Sequence, residues 1–172
     1  MSLAYVDYDE SYEQLTTFTC GEPLLDDFIH KQAADFVRKG ICAVTLLIET
    51  ETREVIGFYA ISPFAIDGDA LREEQNKYYG VTFAIPAWKI GELAVATEHQ
   101  RKPDKSKCKR YGTMLLQEAI SDIQHRAVGG AGALITLETV NLKVKKFYKK
   151  FGFTSMPGVS NKMARNLFEV QV

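Results

Sequence analysis

Apolar residues recur at helical spacing through residues 21–38, where Leu24, Leu25, Phe28, Ile29, Ala33, Phe36 and Val37 share one face and Gly40 follows as a stop. Two β-rich runs come next, residues 41–49 and 55–62, joined by the polar stretch 50–54, which predicts an antiparallel hairpin. Residues 66–79 are too polar for a clear assignment beyond a loop with a short helix. Residues 88–95 predict a strand, and helical periodicity returns over 112–126 through Met114, Leu115, Ala119, Ile120 and Ile123. A buried strand at 133–137, a lysine-rich amphipathic helix at 142–151 and a final strand at 164–170 complete the pattern. A meander followed by strand, helix, strand, helix predicts an α/β fold with one mixed, mostly antiparallel sheet flanked by helices. No internal repeat and no Pro- or Ser-rich linker breaks the chain, so residues 1–172 are expected to form a single domain.

Composition narrows the class. With 172 residues, 46% of them hydrophobic, the chain is large enough to fold on a hydrophobic core alone. Three cysteines without C-x-x-C spacing speak against a disulfide framework and a zinc-finger site, so no metal is expected and the setting reads as reducing and cytoplasmic. The first residues are acidic where a signal peptide would be basic, no apolar run reaches the ~20 residues of a membrane span, and Met1 to Leu3 could be an expression scar.

Charge is uneven along the chain although the formal net charge is only -1. Residues 1–98 carry 7 basic and 17 acidic side chains, whereas residues 99–172 carry 14 basic and 5 acidic ones. A basic half attracts phosphates. The segment that concentrates this charge runs from residue 101 to 110, where Arg101, Lys102, Lys105, Lys107, Lys109 and Arg110 face a single acid, Asp104. It connects the strand ending at Val95 to the helix opening at Gly112. A basic turn delivered to a helix amino terminus is an anion site on physical grounds, because unsatisfied N–H groups and the helix dipole both favour negative charge.

A second cluster gives that site a context. The strand Leu134 to Glu138 is followed by Asn141 and then by a helix carrying Phe147, Tyr148, Lys149, Lys150, Phe151, Gly152 and Phe153. This order and spacing resemble the GNAT superfamily of acetyl-CoA-dependent N-acetyltransferases, over roughly residues 18–168. Phe18, Thr19, Cys20 and Gly21, then Leu25, Asp26, Asp27 and Phe28, then Ala33, are similar to the opening of the GNAT toxins of bacterial toxin-antitoxin modules, which acetylate aminoacyl-tRNA, and Ile56 to Ser62 is similar to a later strand of the same group. Two positions depart from the family pattern. Arg110 replaces the first glycine of the phosphate turn, which follows a loop about seven residues longer than usual, and Glu92 stands where the toxins commonly carry a base.

The resemblance implies a GNAT acyltransferase fold and an acetyl-CoA site. In that frame Leu93, Ala94 and Val95 line the pantetheine arm with backbone groups, Lys107, Lys109, Arg110, Tyr111, Gly112 and Thr113 form the pyrophosphate turn, and Asn141 completes the cofactor set. Tyr148 occupies the position of the acid that protonates the departing thiolate, and the Val95 N–H that of the oxyanion donor. Glu138, at a strand end expected to face Tyr148, and Glu92 are alternative bases. The implied acceptor is a primary amine, either of aminoacyl-tRNA or, alternatively, of a small molecule or protein amino terminus. A ribbon-helix-helix antitoxin and a homodimer are the implied protein partners. A non-catalytic binding module that has lost cofactor affinity through Arg110 is the third reading.

Other candidates have weaker grounds. His30, His99 and His125 lack any arrangement that would make a hydrolase triad. Cys108 lies among bases that would lower a thiol pKa, Cys20 and Cys42 are expected to be buried, and Trp88 reads as core or interface.

Overall fold

The computed structural model describes residues 2–71, 73, 79–80, 83–100, 110–127, 132–159 and 161–168. Seven strands form one sheet: β1 (Leu3–Asp7), β2 (Ala43–Glu49), β3 (Val55–Asp67), β4 (Ala84–Val95), β5 (Leu134–Glu138), β6 (Thr154–Ser155) and β7 (Lys162–Asn166), in the spatial order β1-β2-β3-β4-β5-β7-β6. Described pairings are antiparallel except β4 with β5, which is parallel. The helices are α1 (Pro23–Asp27) and α2 (Ala33–Arg38), separated by a π turn over Phe28–Gln32, then α3 (Tyr111–Arg126) and α4 (Leu142–Lys149). None of the described helices is long and apolar enough to cross a membrane. The chain divides into two compact units.

The first unit comprises residues 1–61 and 92–119. Its core sets Phe28, Ile29 and Ala33 against Val44, Leu46, Phe58 and Ala60 of β2 and β3, all buried. Phe58 is the hub, with Phe18 edge-on at 5.4 Å and Phe28 stacked at 6.1 Å. The π turn explains how residues five apart share this core: the Ala33 N–H bonds to the Phe28 carbonyl, widening the turn enough to bring both inward. Asp26 anchors the segment before α1, accepting from the Cys20 N–H and the Thr19 hydroxyl, each at 2.8 Å. Burial works against its charge, but these hydrogen bonds prevail and hold the carboxyl below its ordinary range.

The β2–β3 turn is built around Glu49, one of whose carboxylate oxygens accepts from the Glu51 N–H, the Thr52 N–H and the Thr52 hydroxyl. Arg53 then takes a left-handed conformation, φ 59°, with its guanidinium 4.4 Å from the centre of the Tyr12 ring. At Gly57 the backbone of β4 lies close against β3. A Cβ there would lie 2.5 Å from the Ala94 carbonyl oxygen and 2.7 Å from Leu115 Cδ1, so only glycine fits.

The second unit comprises residues 62–91 and 120–172. Ile66, Ile85, Ala87, Leu134, Met156 and Ala164 lie within its core. Trp88 is half-buried, and a Cβ added at Gly132 would lie 2.9 Å from its indole nitrogen, so the ring packs on bare backbone. Tyr79 donates to the Ala133 carbonyl or Asn166 Oδ1, at 3.3 and 3.0 Å.

The hairpin and the three helical stretches fall where the periodicity puts them, the first divided by the π turn, but the strand assignments change: β3 runs past 62 to Asp67 and β4 starts at Ala84 rather than 88. β1 and the two-residue β6 were not expected. The last strand is β7, Lys162–Asn166, rather than 164–170: it pairs residue by residue with β5, whose first residue Leu134 meets Asn166, so the ladder ends there and Phe168 is left exposed. Of residues 66–79, read as a loop with a short helix, β3 takes the first two and a short 3-10 turn covers Gly68–Ala70, while 72 and 74–78 lie outside the described residues.

Candidate active site

The β4–β5 ladder runs from Ala87↔Leu134 to Ile90↔Leu137 and stops, while β4 continues to Val95. The described β4–β5 ladder therefore does not reach residues 91–95 of β4. Leu93 and Val95 are half-buried and Ala94 is buried.

The end of β4 is held firmly from within the first unit. The Ala96 N–H donates to the Ile56 carbonyl at 2.9 Å, and the Gln100 side-chain amide donates to the carbonyls of Val95 at 2.9 Å and Cys20 at 2.7 Å. Both the N–H and the hydroxyl of Thr97 donate to the Thr19 carbonyl, at 2.8 and 3.0 Å. Gln100 and Thr97 were not singled out in the sequence, because their partners are carbonyls some 80 residues away whose identity leaves no trace in composition.

α3 begins one residue earlier than its periodicity suggests, at Tyr111, and the exposed Arg110 opens it: the Arg110 carbonyl accepts from the N–H groups of Thr113 at 2.9 Å and Met114 at 3.1 Å. Gly112 lies between these anchors, and among the described residues a Cβ there would meet Val95 Cγ2, at 3.9 Å. An open cradle at a helix amino terminus, one side chain away from Val95, fits the close approach of a pyrophosphate. Tyr111 is buried and meets the His99 ring edge-on at 5.7 Å. Lys107, Cys108 and Lys109 lie outside the described residues.

Within the second unit, Asn141 accepts the Val144 N–H at 3.0 Å through Oδ1 and so caps α4. Tyr148 is 7% exposed, packed edge-on between Phe147 at 5.2 Å and Phe153 at 5.9 Å. Its hydroxyl makes no hydrogen bond with the described residues, and burial alone pushes the phenol up to about 12. A phenol desolvated to this degree keeps its proton until a stronger base is placed against it.

Glu138, expected to face Tyr148, has lysine partners in the structure. It is exposed and meets Lys89 at 3.3 Å and Lys162 at 4.0 Å, because the antiparallel register places Lys162 opposite it on β7. Glu92, in the first unit, is half-buried, and its charge contributes to raising the Cys42 thiol, after burial. Cys20 and Cys42 are half-buried rather than fully enclosed.

A family model described as Acetyltransferase (GNAT) family matches residues 7–153. No curated protein matches the chain significantly. Among solved structures, AtaT complexed with acetyl-methionyl-tRNAfMet is similar over 96% of this chain and 95% of that one, with 22% identity and a TM-score of 0.81. A mutant of KacT is similar over 97% and 96%, with 19% identity and a TM-score of 0.83. AtaTR bound with acetyl-CoA is similar over 96% and 94%, with 23% identity and a TM-score of 0.77. At these identities the likeness speaks for a shared fold, and the family model speaks for kinship over most of the length. The chain belongs to the acetyltransferase (GNAT) family, N-acetyltransferases whose acetyl donor is acetyl-CoA.

Proposed function

We propose that this acetyltransferase is toxin-like and transfers the acetyl group to the primary amine of an aminoacyl-tRNA, acting as one catalytic domain in the cytoplasm. The observation that carries the RNA reading is on α4. Lys146, Lys149 and the following Lys150 are all exposed, so the segment that holds Tyr148 also presents a row of ammonium groups suited to phosphates. AtaT, which shares the fold, was solved in complex with acetyl-methionyl-tRNAfMet, which supports the same acceptor class here.

Acetyl-CoA supplies the acyl group and a thiol leaving group. Backbone groups of Leu93, Ala94 and Val95 hold its pantetheine arm, and the Val95 N–H steadies the developing oxyanion. Arg110, Tyr111, Gly112 and Thr113 receive the pyrophosphate together with Lys107 and Lys109, Arg110 adding a charge-assisted contact where the family has glycine. Asn141 supports the cofactor through the helix end that it caps. Tyr148 returns a proton to the thiolate. Of the two carboxylates, Glu92 is the better base, since Glu138 is taken up by Lys89 and Lys162. The α-amine of an aminoacyl ester needs little help from either.

The structure of AtaT bound to the C-terminus of the antitoxin AtaR supports an antitoxin as protein partner, and the family resemblance adds that it is a small ribbon-helix-helix protein and that the chain pairs with a second copy. A small cationic amine or a protein amino terminus is the competing acceptor, favoured by the acid at Glu92. The deciding experiment follows labelled acetyl from acetyl-CoA to aminoacyl-tRNA, a polyamine and a peptide in parallel. Transfer to aminoacyl-tRNA that weakens when Lys146, Lys149 and Lys150 become Ala supports the proposal. Preference for the polyamine or peptide refutes the RNA acceptor, and no heat with acetyl-CoA in calorimetry would reduce the chain to a binding module.

A further inference from the structure

Glu54, Glu98 and His99 have no part in acetyl transfer, yet each offers one ligand atom and the three atoms lie within 4.8 Å of one another. We propose that these side chains form a binding site for a divalent ion of the zinc type, which clamps the β2–β3 turn to the segment following β4.

Two of the three ligands stand on pinned backbone. Glu54 closes the β2–β3 turn, its carbonyl accepting the Glu49 N–H at 2.9 Å and its own N–H directed to the Thr52 hydroxyl at 3.3 Å. His99 ends a 3-10 turn, Thr97–His99, its N–H donating to the Ala96 carbonyl at 2.8 Å, and its ring is steadied by the edge contact with Tyr111. The imidazole Nε2 lies 2.7 Å from Glu54 Oε1. Glu98, adjacent on the same turn and exposed, brings a second carboxylate. The neighbouring cation Arg53 is turned away onto the Tyr12 ring. Two carboxylates thus converge on one imidazole, a donor set with an excess of negative charge.

The chemistry of the donors selects the ion. Calcium and magnesium favour all-oxygen shells of six or more ligands, and soft ions favour sulfur, whereas one imidazole nitrogen and two carboxylate oxygens suit zinc. Ligands about 2.0–2.2 Å from a tetrahedral zinc are roughly 3.3 Å apart, so side-chain rotations of about an ångström would complete three corners, with water at the fourth.

The test is a titration of the intact, chelator-treated protein with zinc, followed by calorimetry and thermal unfolding. The expected result is one saturable site tighter than about 100 µM, a melting temperature that rises with zinc, and no competition from millimolar magnesium. Glu54→Gln, Glu98→Gln and His99→Ala should each weaken zinc at least tenfold. Glu98 is exposed, so its variant folds whatever becomes of the others. Cobalt used as a spectroscopic stand-in should show no thiolate charge-transfer band. Absence of saturable binding, an affinity unchanged by Glu98→Gln, or a thiolate band would overturn the site and leave Glu54 and His99 as a hydrogen-bonded pair.

Discussion

The side-chain amide of Gln100 donates to the main-chain carbonyl of Val95 across 2.9 Å, and so the residue proposed to receive the thioester is oriented by a side chain five positions further along. The same amide reaches the Cys20 carbonyl, tying the end of β4 to the entry of α1. Replacing Gln100 by Ala removes both bonds, and because the residue is exposed the expected loss is about 1 kcal/mol, or roughly 2–4 °C in melting temperature. Gln100→Glu should be worse than Ala, since a carboxylate can only accept and would confront two carbonyl oxygens. Turnover should fall about tenfold in both variants if Val95 is the oxyanion donor. A Glu variant as stable and active as the parent would separate Gln100 from the site.

Gly57 should tolerate no side chain. In Gly57→Ala the added methyl meets the Ala94 carbonyl oxygen at 2.5 Å, Leu115 Cδ1 at 2.7 Å and Val95 Cα at 3.3 Å, and two of these three are backbone that cannot rotate away. The expected cost is about 1–3 kcal/mol of stability, read as a lower urea midpoint. Because the displaced atoms belong to Ala94 and Val95, acetyl-CoA affinity should fall in the surviving folded fraction. An unchanged midpoint would mean that β3 and β4 separate more easily than this packing allows.

How much of this was legible beforehand depends on the range of the interaction. The hairpin and the region from Pro23 to Arg38 were readable because their apolar residues repeat locally, and the helix opened by Arg110 was readable from a strand feeding a basic turn. β1 escaped although Leu3 to Val6 is apolar, because so short a run shows no period of its own and is a strand by pairing with β2. The end of β7 escaped for a related reason: Leu167, Phe168 and Val170 look like strand, but the five-residue length of β5 decides where the ladder stops. At the candidate site, Tyr148 was singled out by its place in a motif. Gln100 was not, since an amide that bonds to two carbonyls looks like any polar loop residue until the chain has folded, and the pairing of Glu138 with Lys162 could not be foreseen because it depends on the β5–β7 register.

The cysteines should react in an order set by their surroundings. Cys20 is pushed up to about 11, chiefly by burial, with Asp26 adding to the effect against the opposing Glu22 carbonyl contact. Cys42 is raised by burial and then by Glu92. At pH 8 a thiol of pKa 11 is about one part in a thousand thiolate, so Cys20 should be nearly inert to iodoacetamide. Cys108, flanked in sequence by Lys107, Lys109 and Arg110, should be alkylated first, and acetyl-CoA should slow its reaction if the turn holds pyrophosphate. Peptide mapping of the alkylated protein reads the order directly, and early labelling of Cys20 would contradict it.

Gly112→Asp separates the cofactor cradle from the fold. The cradle has room for a Cβ, with Val95 Cγ2 at 3.9 Å, and the position is near the start of α3, where an acid suits the helix dipole. Stability should therefore hold or rise slightly. The carboxylate would nevertheless repel a pyrophosphate, and acetyl-CoA affinity should drop at least tenfold, about 1.4 kcal/mol. Calorimetry on the folded variant distinguishes the two effects, and an unchanged affinity would place the phosphate elsewhere.

Tyr148→Phe tests the chemistry itself. The ring contacts with Phe147 and Phe153 survive the change, and the lost hydroxyl has no hydrogen bond among the described residues to leave unsatisfied, so folding and acetyl-CoA affinity should stay near normal. What should disappear is the proton for the departing thiolate, lowering turnover by roughly 10²- to 10⁴-fold. The pH dependence adds an independent reading. Burial raises the folded pKa to about 12 from an unfolded value near 10, so the stability that depends on the protonated phenol is fully present below pH 10 and is lost as pH rises through 12. The Phe variant has no such group, and its alkaline loss of stability between pH 10 and 12 should be smaller than that of the parent. In the active range the parent should show no decline attributable to ionisation of its acid, since that proton stays in place far above neutrality. A Phe variant that retains more than half the turnover would transfer the role of acid to solvent, while one that loses turnover and keeps the parent's alkaline profile would show that the phenol is less deeply desolvated than its packing between Phe147 and Phe153 implies.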